Sequence, residues 1–462
     1  MLRHLLRPLP RRGALRAVAV TAALALGGST LALTGVAPAQ AANKVTQNKV
    51  TPGNFTGYGF DQCLTPTQAA MDTWLENSPY LAVGIYVSGD SRACRYQPNL
   101  TPTWVSTQLA RGWKLLPIAL GPQASCHPSF PRYEGDVVID PTPGSNGRYD
   151  TARALGRIEA AKSVRDTAAL GITKGSTIWY DLEHFDVNDT HCRESAMAFM
   201  SEWVKRVEAL GYVSGMYGGA SSSLKMLDDA RVERPGQFRL PEYIWIARWD
   251  GKANTKAEPY LRPDGWLPGR RMKQYKGDHV RKYGGVAINI DSNWLDLGKG
   301  SRASTNKRCG VKEVTNLPRY LNISSKKKTQ TKKRVKAVQC LLKERGYKGF
   351  KVSGKYGSGT KRAVKKFRVS QGLSNQAVVT RTTWIRLLSA RTAPVLKVGS
   401  SGAAVHKLQQ SLAAAGVRKE VSTGLFDKTT STQVKAYQKR LKLSQTGVAG
   451  TTTWAALKSG QA

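Results

Sequence analysis

Acidic residues are scarce in this chain: 31 Asp and Glu stand against 71 Lys and Arg in 462 residues. The shortage sits at one end. From Lys299 to Ala462 only Glu313, Glu344, Glu420 and Asp427 oppose 36 bases, whereas residues 42–298 hold 27 acids and 30 bases. The two parts therefore face different partners, and only the first has the carboxylates for acid–base chemistry. Long apolar runs are also missing. After Leu33 none reaches the roughly 20 residues a spanning helix needs. No Gly-x-Ser-x-Gly elbow supports a serine hydrolase. The loop Gly218-Gly219-Ala220-Ser221 lacks the lysine that would follow in a phosphate cradle. None of the six cysteines forms a CxxC pair.

What is present begins with a leader. Arg3, Arg7, Arg11, Arg12 and Arg16 precede a mostly apolar Ala17–Leu33, and Ala39-Gln40-Ala41 offers small residues for cleavage. Residues 1–41 read as a secretory signal peptide, with Arg11-Arg12 loosely like a twin-arginine export signal. Once that segment is removed, no stable membrane insertion is expected. An exported protein with an even cysteine count favours disulfides over metal ligation. Fifteen pairings are possible and the sequence does not choose among them; joining neighbouring segments would give Cys63–Cys94, Cys126–Cys192 and Cys309–Cys340. Export also decides the partner of the basic tail. Anionic polymers of a cell envelope are expected rather than nucleic acid, for a secreted, wall-associated monomer.

The C-terminal third repeats at an offset of 70 residues. Val338-Gln339 recurs as Leu408-Gln409, Gly354-Lys355-Tyr356 as Gly424-Leu425-Phe426, and Thr383-Trp384 as Thr453-Trp454. Thr360, Val364 and Phe367 likewise recur as Thr430, Val434 and Tyr437. Such a series marks two copies of one module. Each copy reads as three short helices, at Val335–Arg345, Thr360–Ser370 and Arg381–Ala390 in the first. This pattern resembles the peptidoglycan-binding domain found beside cell-wall hydrolases, and is expected over 334–390 and 394–459. Residues 299–333, with Lys326-Lys327-Lys328 and Lys332-Lys333-Arg334, read as an extended basic linker.

Residues 54–298 suit one α/β barrel. Strands are expected at Thr56–Asp61, Leu81–Ser88, Leu115–Leu120, Thr177–Glu183, Ser214–Tyr217, Tyr243–Trp249, Met272–Tyr275 and Val286–Asp291. Helices are expected at Thr65–Glu76, Thr103–Arg111, Tyr149–Leu170 and Arg193–Leu210. Two doubly wound halves are the alternative. Asp181 and Glu183, two apart on a strand, share one face and lie roughly 6–7 Å apart along it. Asp61 and Asp291 end two other expected strands, so a parallel barrel would bring all four acids to one rim. Their mutual repulsion would raise at least one pKa toward the value a general acid needs. Tyr180, Tyr217, Trp245, Trp249 and Tyr275 collect near these ends, with Gln274 among them; flat rings suit sugar faces. His184, Asp186, Asp189 and His191 form a loop cluster that reads as solvated, so no metal and no cofactor is expected.

Gly59-Phe60-Asp61, Asp181-x-Glu183 and Asn289-Ile290-Asp291 resemble the family 25 glycoside hydrolases, the lysozyme-type muramidases. A closer resemblance is to a glycoside hydrolase-like group once called domain of unknown function 1906. It is carried by Gly84-Ile85-Tyr86-Val87, Gln97-Pro98-Asn99-Leu100-Thr101, Gly112–Ile118 and Tyr283–Asp291. The resemblance implies a TIM-like barrel of eight strands and fewer than eight helices. It further implies Glu183 as proton donor, Asp181 and Asp291 as stabilisers or base, and Asp61 as polar support. The function it implies is cleavage of peptidoglycan or a related envelope glycan. A non-catalytic glycan-binding barrel is the alternative.

Overall fold

A computed structural model describes residues 50–462, except 128–132, 134, 309–310, 313–316, 318, 325–330, 392 and 419–421. The leader reading of 1–41 and the Cys309 end of the third cysteine pair lie outside the described residues. Cys340 is disulfide-bonded, and the bridges Cys63–Cys94 and Cys126–Cys192 are formed. No helix among the described residues is long and apolar enough to cross a membrane.

Eight strands close into a barrel: β1 (Phe55–Asp61), β2 (Ala82–Ser88), β3 (Lys114–Ala119), β4 (Thr177–Leu182), β5 (Val213–Gly219), β6 (Tyr243–Ala247), β7 (Arg270–Tyr283) and β8 (Val286–Leu297). Strands β1 to β7 run parallel in sequence order, and β8 closes the barrel between β7 and β1. Five helices cover it: α1 (Gln68–Asn77), α2 (Pro102–Arg111), α3 (Asp150–Ala169), α4 (Thr190–Ala209) and α5 (Ser223–Glu233). The first four match the helical spacing read from sequence; α5 does not stand out there. Helix starts follow local chemistry, with Thr67, Thr101 and Asp189 each accepting a backbone N–H from the first turn.

The direction of one strand differs from expectation. The last strand is not parallel; β8 is antiparallel to both neighbours. The cause is the two-residue turn Gly284-Gly285, with φ of 57° and 89°. Two adjacent left-handed residues make the tight hairpin that reverses the chain, and no helix can intervene. Asp291 therefore lies mid-strand, directly opposite Asp61 in register. It still reaches the acidic rim, because an antiparallel strand enters the barrel at the end where its parallel neighbours leave.

The repeats form six helices, α6 (Lys332–Glu344), α7 (Ser358–Ser370), α8 (Arg381–Ser389), α9 (Ala403–Ala414), α10 (Lys428–Arg440) and α11 (Thr451–Lys458). The recurring glutamine explains part of the repeat. Gln339 Oε1 accepts the Gly354 N–H, and its Nε2 donates to Lys355 O and Thr360 Oγ1. Gln409 does the same with Gly424, Leu425 and Thr430. Each is a buried staple between helix and turn. The segment expected to be an extended linker is packed where it is described. Leu317, Tyr320 and Ile323 join the core of the first repeat, and Ser304 exchanges hydrogen bonds with Thr423 and His406 of the second. Apolar side chains spaced three residues apart there outweigh the surrounding charge.

The second repeat also docks on the barrel, at the end where the parallel strands begin. Lys397 is buried and donates to the carbonyls of Trp74, Ser78 and Tyr80 at 3.3, 2.8 and 3.1 Å. Glu76 accepts from Thr451 N and Oγ1.

Candidate active site

Strand alternation sorts the aromatic and acidic side chains of β4. Trp179 and Asp181 face the barrel interior, where Trp179 meets Trp245 edge-on at 5.7 Å. Tyr180 faces outward. It is fully buried against Phe199 and Trp203 of α4 and donates to Pro122 O, so it belongs to the helix-side core and not to a ligand surface. Glu183 follows the last residue of β4 and is half-buried, while Asp181 is 2% exposed. The Gln123 amide fixes this strand end, accepting the Glu183 N–H and donating to Asp181 O.

Asp61 and Asp291 meet across β1 and β8. Gln274, inward on β7, donates from Nε2 to Asp61 at 3.2 and 3.3 Å and to Asp291 at 3.1 Å. Its Oε1 accepts from Tyr217 Oη at 3.0 Å and from Trp249 Nε1 at 2.9 Å. Both amide hydrogens and the amide oxygen are thus committed to protein partners. Gln274 holds two acids rather than a ligand. Asn293 adds a second clamp, donating to Asp61 at 2.6 Å and accepting from Trp245 Nε1 at 2.7 Å. Trp245 is 1% exposed and forms the floor beneath the acids instead of a sugar platform. Space for Asp61 comes from Gly84, where an added Cβ would lie 2.5 Å from the Asp61 Cβ.

Above this floor is a cleft of about 320 Å³, bordered by Asp61, Asp291, Tyr86 and Trp249. Trp249 is 63% exposed and lies across Gly277, leaving its indole face to solvent. Tyr217 packs edge-on against Trp245 at 5.4 Å. Tyr275 follows inward Gln274 and so points out of the barrel, into a different groove. Of the six expected ligand contacts, Trp249 lines the cleft; Tyr217, Trp245 and Gln274 lie in the layer beneath the acids, and Tyr180 and Tyr275 point out of the barrel.

Burial pushes the Asp61 carboxyl well above the usual range, and the charge of Asp291 adds to it. Burial likewise raises Asp291, with Asp278 and Glu183 contributing, while the Asp278 N–H pulls it down. The phenols of Tyr86 and Tyr217 are held well above their ordinary value, first by burial and then by the surrounding acids, Asp181 and Glu183 included. Both phenols stay protonated beside the acids, and Tyr217 donates to Gln274. Tyr86, Asp278, Asn289 and Asn293 were not singled out from sequence as site residues. Asp278 carries a left-handed φ of 40°, donates its N–H to Asp291 at 2.6 Å and accepts from Asn289 at 2.8 Å. A lone polar residue in a hairpin gives little sequence signal, although Asn289-Ile290-Asp291 alternation places Asn289 on the Asp291 face. In the neighbouring loop, Asp186 accepts from the Asn188 N–H, Asp189 caps α4, and His191 Nδ1 meets Tyr149 Oη at 3.0 Å.

Residues 72–295 match the family model of the Rv2525c-like, glycoside hydrolase-like domain. The barrel is an Rv2525c-like domain. Residues 331–387 and 401–457 each match the peptidoglycan binding domain, so the Rv2525c-like barrel is followed by two such domains. Among solved structures, an uncharacterized B. stearothermophilus protein is similar at 19% identity, over 52% of this chain and 95% of its own, with a TM-score of 0.34. The Mycobacterium tuberculosis Tat-secreted protein Rv2525c, in complex with L-tartrate, is similar at 15% identity over 53% of this chain and 98% of its own, with a TM-score of 0.33. The modular autolysin LytC from Streptococcus pneumoniae is similar at 9% identity, over 52% and 47%, with a TM-score of 0.31. No curated protein matches the chain.

Proposed function

We propose that this chain is a secreted cell-wall glycoside hydrolase that cleaves peptidoglycan or a related envelope glycan by carboxylate acid–base catalysis. The observation that carries the reading is the meeting of Asp61 and Asp291, bridged by Gln274, with Asp181 and Glu183 at the end of β4 on the other side of the barrel, near enough for the Glu183 charge to raise Asp61. Glu183 protonates the leaving glycosidic oxygen. It is the more exposed acid of the β4 pair, since Asp181 is buried. Asp291, which lines the cleft, then stabilises the oxocarbenium-like centre or activates water, as paired carboxylates do in glycosidases, and buried Asp181 acts on that centre through its charge. Asp61, clamped by two amide donors, supports the charge balance of the pair. Trp249 offers a ring face to a sugar, and the two C-terminal repeats keep the enzyme on the wall.

The test is reducing-end release from purified peptidoglycan by the full mature chain and by Glu183→Gln. Release by the parent and its loss in the variant are expected, with sedimentation on the wall retained. Release that survives Glu183→Gln would remove the assigned acid. No release by the parent, with sedimentation intact, would leave a glycan-binding barrel.

A further inference from the structure

A second concavity, about 690 Å³, lies between the outer face of the barrel and the second repeat. Its barrel wall includes Tyr58, Tyr275, Tyr283 and Arg281; its repeat wall includes Lys428 and Lys435 from α10. No carboxylate lines it. Among the described residues, no acid comes within ion-pair distance of Arg281, Lys428 or Lys435, whereas bases elsewhere, such as Arg95 and Lys273, pair with acids. Lys428 instead sits 4.7 Å from the Trp294 ring centroid and 5.9 Å from that of Tyr58, and Arg281 lies over Tyr283. The three cations are exposed. Rings on the barrel wall and unneutralised cations on both walls thus meet around a groove that neither domain forms alone.

We infer that this groove binds a sugar polymer carrying phosphodiesters along its backbone. The Tyr275 ring, unlike Tyr58 and Tyr283 which lie under cations, is left to match a sugar ring. Cations on both walls, with no carboxylate between them, match a chain that carries anionic charge along its backbone, as a phosphodiester-linked glycan does. Peptidoglycan carries its carboxylates on peptide branches, away from the sugar backbone. The groove opens outside the barrel, so its occupant is separate from the substrate of the acidic cleft. Binding here does not depend on bond cleavage there.

The experiment measures sedimentation of the full chain with cell walls, before and after hydrofluoric acid removes phosphodiester-linked polymers. Arg281→Glu/Lys435→Glu is compared with Lys361→Glu/Lys366→Glu, an equal charge change at exposed sites of the first repeat. The groove variant is expected to bind intact wall about tenfold more weakly than the control variant, the two becoming equal on stripped wall. Arg281→Lys/Lys435→Arg should restore binding, and thermal melting should show all variants folded. Tyr275→Ala, which changes no charge, should also weaken binding to intact wall. Equal loss in the groove and control variants would reduce the effect to bulk charge and overturn the inference. Unchanged binding would overturn it as well, and a loss that persists on stripped wall would reassign the groove to peptidoglycan. Because the readout is binding, failure of the Glu183 test leaves this result standing.

Discussion

Asp61 and Asp291 occupy opposite positions of an antiparallel strand pair, and the single Gln274 amide nitrogen bonds both carboxylates. Two acids so placed cannot both ionise cheaply: burial raises both, the Asp291 charge adds to Asp61, and Asp278 and Glu183 add to Asp291. The amide nitrogen offsets part of that cost and fixes the spacing. Gln274 cannot turn over to present its oxygen, because Tyr217 and Trp249 already occupy that oxygen.

Raised carboxyls have a signed effect on stability. Near pH 4, where free aspartates titrate, the unfolded chain begins to release protons that the folded cluster keeps. The contribution is fully present below that range and is lost as pH rises through the raised folded values of Asp61 and Asp291. Acids lowered by partners, such as Asp250 beside Lys273, give the opposite slope. The informative quantity is therefore a difference. Asp291→Asn should lose about 1 kcal/mol at low pH, because its amide meets the Gln274 amide donor to donor. Between pH 4 and 7 its stability should fall less steeply than the parent's. Denaturant unfolding across that range checks this, and parallel curves would mean that the pair is not charge-coupled.

The platform can be tested without touching an acid. A Cβ at Gly277 would lie 2.1 Å from the Trp249 ring, so Gly277→Ala must displace the indole. Displacement also breaks the 2.9 Å bond to Gln274. Loss of one stacking face should weaken glycan affinity by roughly 0.5–1.5 kcal/mol, with Tm nearly unchanged because the ring is exposed. Isothermal titration with soluble wall fragments measures it, with Trp249→Ala as the reference. Equal affinity in parent and Gly277→Ala would remove Trp249 from the binding face.

What the sequence revealed depended on pattern. The eight strands were legible as apolar runs, and Asp61 and Glu183 as acids at their ends. Asp291 was found for an incomplete reason: its strand was read as parallel although Gly284-Gly285 carries the signal of a hairpin. Tyr180 was drawn into the site by proximity to Asp181, whereas period-two alternation sends neighbours to opposite faces. Gln274 was noticed but given to the ligand, since a hydrogen-bond network converging from β1, β5, β7 and β8 cannot be read from one strand. The repeats showed their staples plainly, because Gln339 and Gln409 recur with their partners. Docking of the second repeat left no such trace; Lys397 is one lysine among many.

Lys397 sets the last prediction. Burial pulls the pKa of its amine down to about 7; protonated, it has three hydrogens for three carbonyl acceptors, from Trp74, Ser78 and Tyr80, and it lies 5.4 Å from the Trp113 ring centroid. Lys397→Met keeps the length and apolar stem but removes every donor. Trp74 O retains the Ser78 N–H, whereas the carbonyls of Ser78 and Tyr80 lose a buried partner. Each unsatisfied carbonyl costs about 1–3 kcal/mol, enough to loosen the second repeat from the barrel without unfolding either. Calorimetry should show a lower onset of unfolding for Lys397→Met, and limited proteolysis should cut between residues 299 and 397 sooner than in the parent. An exposed lysine changed in the same way, Lys366→Met, should do neither. If Lys397→Met melts and resists protease like the parent, the three carbonyls are not holding the repeat in place. The same contacts make deletion of 334–462 an unsafe test of wall anchoring, because it removes Lys397 and uncovers Phe55 and Trp294. Point substitutions on the repeats separate binding from stability where truncation confounds them.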